Sequence, residues 1–124
     1  MARILIVEDD LTFSLMLSTW LGKKGFDVTS AANVKDAKQH LSDIDFELII
    51  SDLRLPDSDG IDLLQWVKVQ NPLLPVIMMT SYADIQTAVK AMKLGASDYI
   101  SKPVQPDLLL AKIHENLTSP VEAE

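Results

Sequence analysis

With 124 residues the chain has room for one domain and one core, enough to bury roughly two-thirds of its unfolded surface. Its 18 Asp+Glu against 11 Lys+Arg give a formal charge of −7, which argues against gripping nucleic acid through a basic face, and the lack of cysteine excludes disulfides, thiol catalysis and thiolate metal sites. The apolar run after Met1-Ala2-Arg3 is too short for a signal peptide and no later run approaches the ~20 residues of a membrane span, so a cytoplasmic protein with no membrane contact is expected.

In chain order, the run Arg3-Ile4-Leu5-Ile6-Val7 predicts a strand over 3–7 that ends in Glu8-Asp9-Asp10. A helix is expected from about Asp10 to Lys24, with Asp9 or Asp10 able to cap it and Gly22 and Gly25 as stop signals. Phe13, Met16, Leu17, Trp20 and Leu21 form its apolar stripe, whereas Leu11 and Leu15 fall on the far side and are expected to be at least partly exposed. A strand over 27–31 precedes a second helix with Asn33 as its N-cap. A third strand over 47–51 ends at Asp52, and Gly60 precedes the third helix. A strand over 75–80 ends in Thr80, Asp84 can cap the fourth helix and Gly95 ends it. The last strand, 97–101, leads into Lys102-Pro103 and a helix beginning near Pro106; beyond Leu117 the aperiodic residues 118–124 read as a tail or the start of a linker. Five strands alternating with five helices imply right-handed βαβ crossovers and a parallel sheet covered on both faces.

Strands that finish in carboxylates are expected at the carboxyl edge of such a sheet, where open α/β folds place their ligand sites. If the first and third strands are neighbours, Glu8, Asp9 and Asp52 converge there. Two carboxylates ~4 Å apart repel by ~4 kcal/mol at an effective dielectric of 20, so something positive must offset them. With only oxygen ligands on offer, a hard divalent ion such as Mg²⁺ is selected. Lys102 adds a fixed cation at the same edge and Thr80 a hydroxyl, which together give an aspartate what it needs to accept a phosphoryl group. Asp57, Asp59 and Gly60 hint at a calcium loop, but that register puts Leu55 and Trp66 at the first and twelfth ligand positions, so these are read as turn acids. His40 and His114 fit no ligand pattern and read as surface residues.

The ordered set Glu8-Asp9, Asp52 followed by Leu-x-Leu-Pro-Asp and Gly60, Thr80-Ser81 after Met78-Met79, and Asp98-Tyr99-Ile100-Ser101-Lys102-Pro103 closely resembles the receiver domain of two-component response regulators, over roughly residues 3–117. The resemblance implies a flavodoxin-like (βα)5 fold with strand order 2-1-3-4-5, and a receiver domain over 1–117. It implies Asp52 as phosphoacceptor, Asp9 as a direct Mg²⁺ ligand, Glu8 acting through metal-bound water, and Arg54 as a ligand through its backbone carbonyl. Thr80 and Lys102 would contact the phosphoryl group, a cis peptide would join Lys102 to Pro103, and Arg54 and Tyr82 would tune dephosphorylation. Tyr99 stands where receivers place a switch aromatic, with a half-buried strand aromatic as the alternative reading. A sensor histidine kinase or phosphotransfer protein would dock on helix 1, through Leu11, Thr12, Phe13, Leu15 and Met16. The surface of helix 4, strand 5 and helix 5 would respond to phosphorylation, with a homodimer as one readout.

A finer resemblance, over Thr80–Asp84 and Thr87–Ala96, is to receivers attached to the nitrogen-regulator class of sigma-54-dependent transcriptional activators. It implies control of a separate output domain, and a switch that turns over no separate substrate. Two other readings meet local obstacles. A phosphatase of the haloacid-dehalogenase type expects an acid two residues beyond its nucleophile, where Arg54 stands. A flavodoxin-like cofactor module expects a hydroxyl- or glycine-rich phosphate loop where Glu8-Asp9-Asp10 stands.

Overall fold

The computed structural model of the chain describes residues 2–81 and 84–117. Its elements are β1 (Arg3–Val7), α1 (Leu11–Lys23), β2 (Asp27–Ala31), α2 (Val34–Asp43), β3 (Leu48–Asp52), α3 (Gly60–Gln70), β4 (Val76–Thr80), α4 (Ile85–Lys93), β5 (Asp98–Ser101) and α5 (Pro106–Leu117). The strands form one parallel sheet in the order β2-β1-β3-β4-β5, the flavodoxin-like arrangement expected from the sequence. The expected tail, 118–124, lies outside the described residues.

The burial of each strand follows its place in the sheet. β3 and β4 are buried throughout and β1 is buried after Arg3, because helices cover both faces of the interior strands. The edge strands β2 and β5 are only partly covered. Alternation along the strands divides the core in two. Leu5, Val7, Ile49, Val76 and Met78 face Leu63, Leu64 and Val67 of α3 and the alanines of α2 and α4. Ile4, Ile6, Leu48, Ile50, Ile77 and Met79 face Leu17 and Leu21 of α1 and Leu109 and Ile113 of α5. Burying one such Leu or Ile fully stabilises the fold by about 1.5–3 kcal/mol.

Two of the expected caps form bonds. Asp10 accepts from the Phe13 amide at 3.1 Å and Asn33 from Asp36 at 2.8 Å. At α3 the capping side chain is Asp59, which accepts from Asp62 at 3.0 Å, with Gly60 as the first helical residue. Asp84 occupies the N-cap position of α4, yet its side chain makes no capping bond. Gly22 lies inside the last turn of α1, while Gly25 and Gly95 adopt positive φ past the ends of α1 and α4.

The apolar stripe of α1 is narrower than its sequence suggests. Ser14, Leu17 and Leu21 form the buried line, Phe13 and Trp20 flank it half-buried, and Met16 is 63% exposed. The small Ser14 sits on the inner line and leaves Met16 at the rim, beside Phe13, Trp20, Val104 and Pro106 in a shallow apolar hollow. Leu11 and Leu15 are 71% and 70% exposed, as their position on the far side predicts.

Candidate functional site

The pairing of Val7 with Ser51 in adjacent strands brings the residues after β1 beside the end of β3. Glu8, Asp9 and Asp52 therefore meet, each offering a carboxylate oxygen within 4.8 Å of the others. Glu8 is 1% exposed and Asp52 9%, while Asp9 is open to solvent. β4 contributes Thr80 next to Ser101, and the chain leaving β5 delivers Lys102. Its bond to Pro103 is cis, as expected.

Lys102 reaches across the sheet edge. Its Nζ donates to Glu8 Oε1 at 2.5 Å and to Asp52 Oδ2 at 2.8 Å, and lies 5.2 Å from the centre of the Phe13 ring. Burial works to lower its affinity for the proton, but the hydrogen bonds to Asp52 and Glu8 outweigh burial and hold the amine above its ordinary value. Burial raises the Glu8 carboxyl, and the hydrogen bonds from Lys102 and the Asp10 amide only partly oppose it. Three carboxylates face one ammonium, which leaves a negative excess when all are ionised. The donors are all oxygen, so the cluster fits a hard divalent cation.

The second oxygen of Asp52, Oδ1, accepts from the Arg54 amide at 3.3 Å. Below it, Gly60 packs directly under the end of β3: its amide donates to the Leu53 carbonyl at 2.8 Å, and a Cβ there would stand 2.3 Å from the Asp52 carbonyl oxygen. Only glycine permits that approach. Thr80 is 1% exposed, and its hydroxyl donates to the Ser81 carbonyl at 3.1 Å, turned along its own loop. Tyr99 is half-buried on β5 and packs against the α2–α4 side of the core.

Two connections at this edge escaped the sequence reading. Arg54 donates through Nε and Nη2 to Asp84 Oδ1, at 3.1 and 2.5 Å, while Ser81 Oγ contacts Asp84 Oδ2 at 3.2 Å. The hydrogen bond with Asp84 raises the Arg54 guanidinium, and the same bond lowers the Asp84 carboxyl. Asp57 accepts from the amides of Val34 and Lys35, at 2.9 and 3.0 Å, so a loop acid binds the N-terminus of α2 and is held below the usual carboxylate range. The available signal was spatial: Asp52 pairs with Met79, so the loops after β3 and β4 leave the sheet side by side. Of the helix 1 candidates, Leu11, Thr12, Leu15 and Met16 are exposed and Phe13 is half-buried beneath Lys102. Tyr82 lies outside the described residues.

A family model described as the response regulator receiver domain matches residues 4–114. The chain belongs to that family. The receiver is 41% identical over 102 residues to response regulator protein PilR of Pseudomonas aeruginosa, a match covering 82% of this chain and 23% of that protein. It is 37% identical over 123 residues to transcriptional regulatory protein ZraR of Escherichia coli K12, covering 98% of this chain and 28% of that protein. This receiver thus spans about a quarter of the length of these relatives. Among solved structures, the receiver domain of NtrX from Brucella abortus superposes with a TM-score of 0.89 at 34% identity, covering 94% of this chain and 99% of that one. No described helix is long and apolar enough to cross a membrane.

Proposed function

We propose that this receiver is a phosphorylation-dependent switch in which Asp52 accepts a phosphoryl group from a histidine kinase, a histidine phosphotransfer protein or a small phosphodonor. The observation that carries the reading is the Asp52 carboxylate held by Lys102 and the Arg54 amide at the carboxyl edge of the sheet, with Glu8 sharing the same ammonium. An oxygen of Asp52 attacks phosphorus and forms the acyl phosphate bond as the bond from phosphorus to the donor's imidazole nitrogen breaks; solvent returns the proton to the leaving imidazole. Asp9 and Asp52 would hold Mg²⁺, Glu8 would do so through water and Arg54 through its backbone carbonyl. The ion would supply charge neutralisation at the transferring oxygens.

Lys102 offsets charge on the phosphoryl oxygens. Thr80 reaches them by turning its hydroxyl away from the Ser81 carbonyl. Tyr99, one residue from Ile100 in the core, follows that movement and changes the surface of α4, β5 and α5. Phosphorylation adds about −1.5 to −2 charge units, and shifts the two states only through the difference in its contacts with each.

The partner kinase docks on the exposed part of α1, through Leu11, Thr12, Phe13, Leu15 and Met16. The output is dimerisation or control of an attached domain in transcription, of the sigma-54-dependent kind, in the cytoplasm. The receiver catalyses changes at its own Asp52 and turns over no separate substrate. Intact mass after incubation with acetyl phosphate tests this: an adduct of one phosphoryl group that needs Mg²⁺ and disappears in Asp52→Ala is expected. Its absence from the native chain under all conditions would withdraw the assignment.

A further inference from the structure

Helix α4 begins unlike α1, α2 and α3. At those three N-termini the capping side chain accepts from the third helical amide: Asp10 from Phe13, Asn33 from Asp36 and Asp59 from Asp62. α4 also has an aspartate at its N-cap position, a favoured residue there, yet Asp84 makes no capping bond. Both its oxygens are engaged elsewhere, Oδ1 by the Arg54 guanidinium and Oδ2 by Ser81. Asp84 is nearly buried, whereas the Arg54 side chain is 74% exposed. Arg54 follows Asp52 by two residues, and its amide already touches the Asp52 carboxylate.

We propose that Arg54 exchanges Asp84 for the phosphoryl group on Asp52, and that Asp84, once released, caps α4 through the amide of Thr87. The exchange rests on the phosphorylation of Asp52 proposed above. A phosphoryl group presents about −1.5 to −2 charge units and several acceptor oxygens, against one charge on Asp84, and guanidinium matches it in two-point geometry. The freed carboxylate stands at a helix N-terminus, at the positive end of the helix dipole, and reaches the Thr87 amide once Asp84 turns from its ψ of 18° to the extended backbone that Asp10, Asn33 and Asp59 adopt. Arg54 and Asp84 each keep a partner in both states. The charge at Asp52 is thereby read at α4 as a swap of partners, through a device that needs no contact between the phosphoryl group and the helix.

The test is amide hydrogen exchange at Thr87, followed by NMR in the 124-residue chain with and without acetyl phosphate and Mg²⁺, with intact mass of the same samples. A capping bond of ordinary strength raises Thr87 protection by about fivefold. The native chain is expected to show that rise on phosphorylation. Arg54→Ala is expected to show it without any phosphodonor, and Asp84→Ala under neither condition. An adduct on the native chain with unchanged Thr87 protection would overturn the exchange and leave the phosphorylation reading standing. Unchanged protection in unphosphorylated Arg54→Ala would also overturn it. Absence of any adduct would overturn the phosphorylation reading, and the exchange with it.

Discussion

Replacing Lys102 with methionine keeps the length of the side chain and removes the only ammonium that reaches both Glu8 and Asp52 among the described residues. Carboxylate oxygens within 4.8 Å of one another repel by about 3.5 kcal/mol at an effective dielectric of 20. The site can escape this by taking up a proton, and Glu8 is the group to take it, since burial already raises its carboxyl. Protonating a carboxyl of ordinary value 4.5 at pH 7 costs about 3.4 kcal/mol at 1.36 kcal/mol per pH unit, so the two limits agree. We expect Lys102→Met to lose about 2–3 kcal/mol at pH 7, allowing for the partial exposure of Lys102 and its solvent screening. With an unfolding entropy near 2.1 cal/mol/K per residue, 124 residues lose about 8–12 °C in Tm.

The sign with pH is fixed by linkage. A group whose folded pKa is raised contributes stability that is present below its ordinary value and lost as pH rises through the folded value. The deficit of the variant should therefore shrink to under about 1 kcal/mol at pH 5, where protonation is nearly free. Millimolar Mg²⁺ should also restore the variant more than the native chain, because the acids then lack a competing cation. The assay is thermal unfolding by circular dichroism at pH 7 and pH 5, with and without Mg²⁺. Loss of the Phe13 contact is independent of pH and sets only a small offset. Equal Tm deficits at both pH values, with no enhanced response to Mg²⁺, would refute the electrostatic reasoning.

Gly60→Ala places a Cβ 2.3 Å from the Asp52 carbonyl oxygen and 3.0 Å from Leu53 Cα, and should cost about 1–3 kcal/mol, with slower phosphoryl uptake because the end of β3 must move; thermal melts and uptake rates check both effects. Asp57→Ala should lower the urea midpoint at pH 7, and the gap should close as pH falls, since a group held below 3.8 contributes stability present above that value and lost as pH drops through its folded pKa. Leu15→Lys, at a side chain 70% exposed, should leave stability within about 0.5 kcal/mol and slow transfer from the cognate kinase. Unchanged transfer would remove Leu15 from the docking surface.

The strands were legible because burial on both faces demands continuous apolar runs, and β3 and β4 carry them up to Asp52 and Thr80. The meeting of Glu8, Asp9 and Asp52 followed from one topological assumption, the pairing of β1 with β3. Contacts that depend on side-chain direction were harder to read. Met16 fits the helical stripe of α1, but packing seats Ser14 on the inner line. Asp84 has the residue type and position of a cap, and only the adjacency of two loops reveals that Arg54 takes its carboxylate. The Thr80 hydroxyl likewise points to the Ser81 carbonyl, a local choice that strand position does not determine.

Borohydride reduction locates an acyl phosphate directly, by converting the modified aspartate to homoserine. Applied after incubation with acetyl phosphate and Mg²⁺, followed by peptide mapping, it should place homoserine at position 52 and at no other acidic residue. Homoserine at Asp9 or elsewhere, with residue 52 intact, would contradict the account of the site.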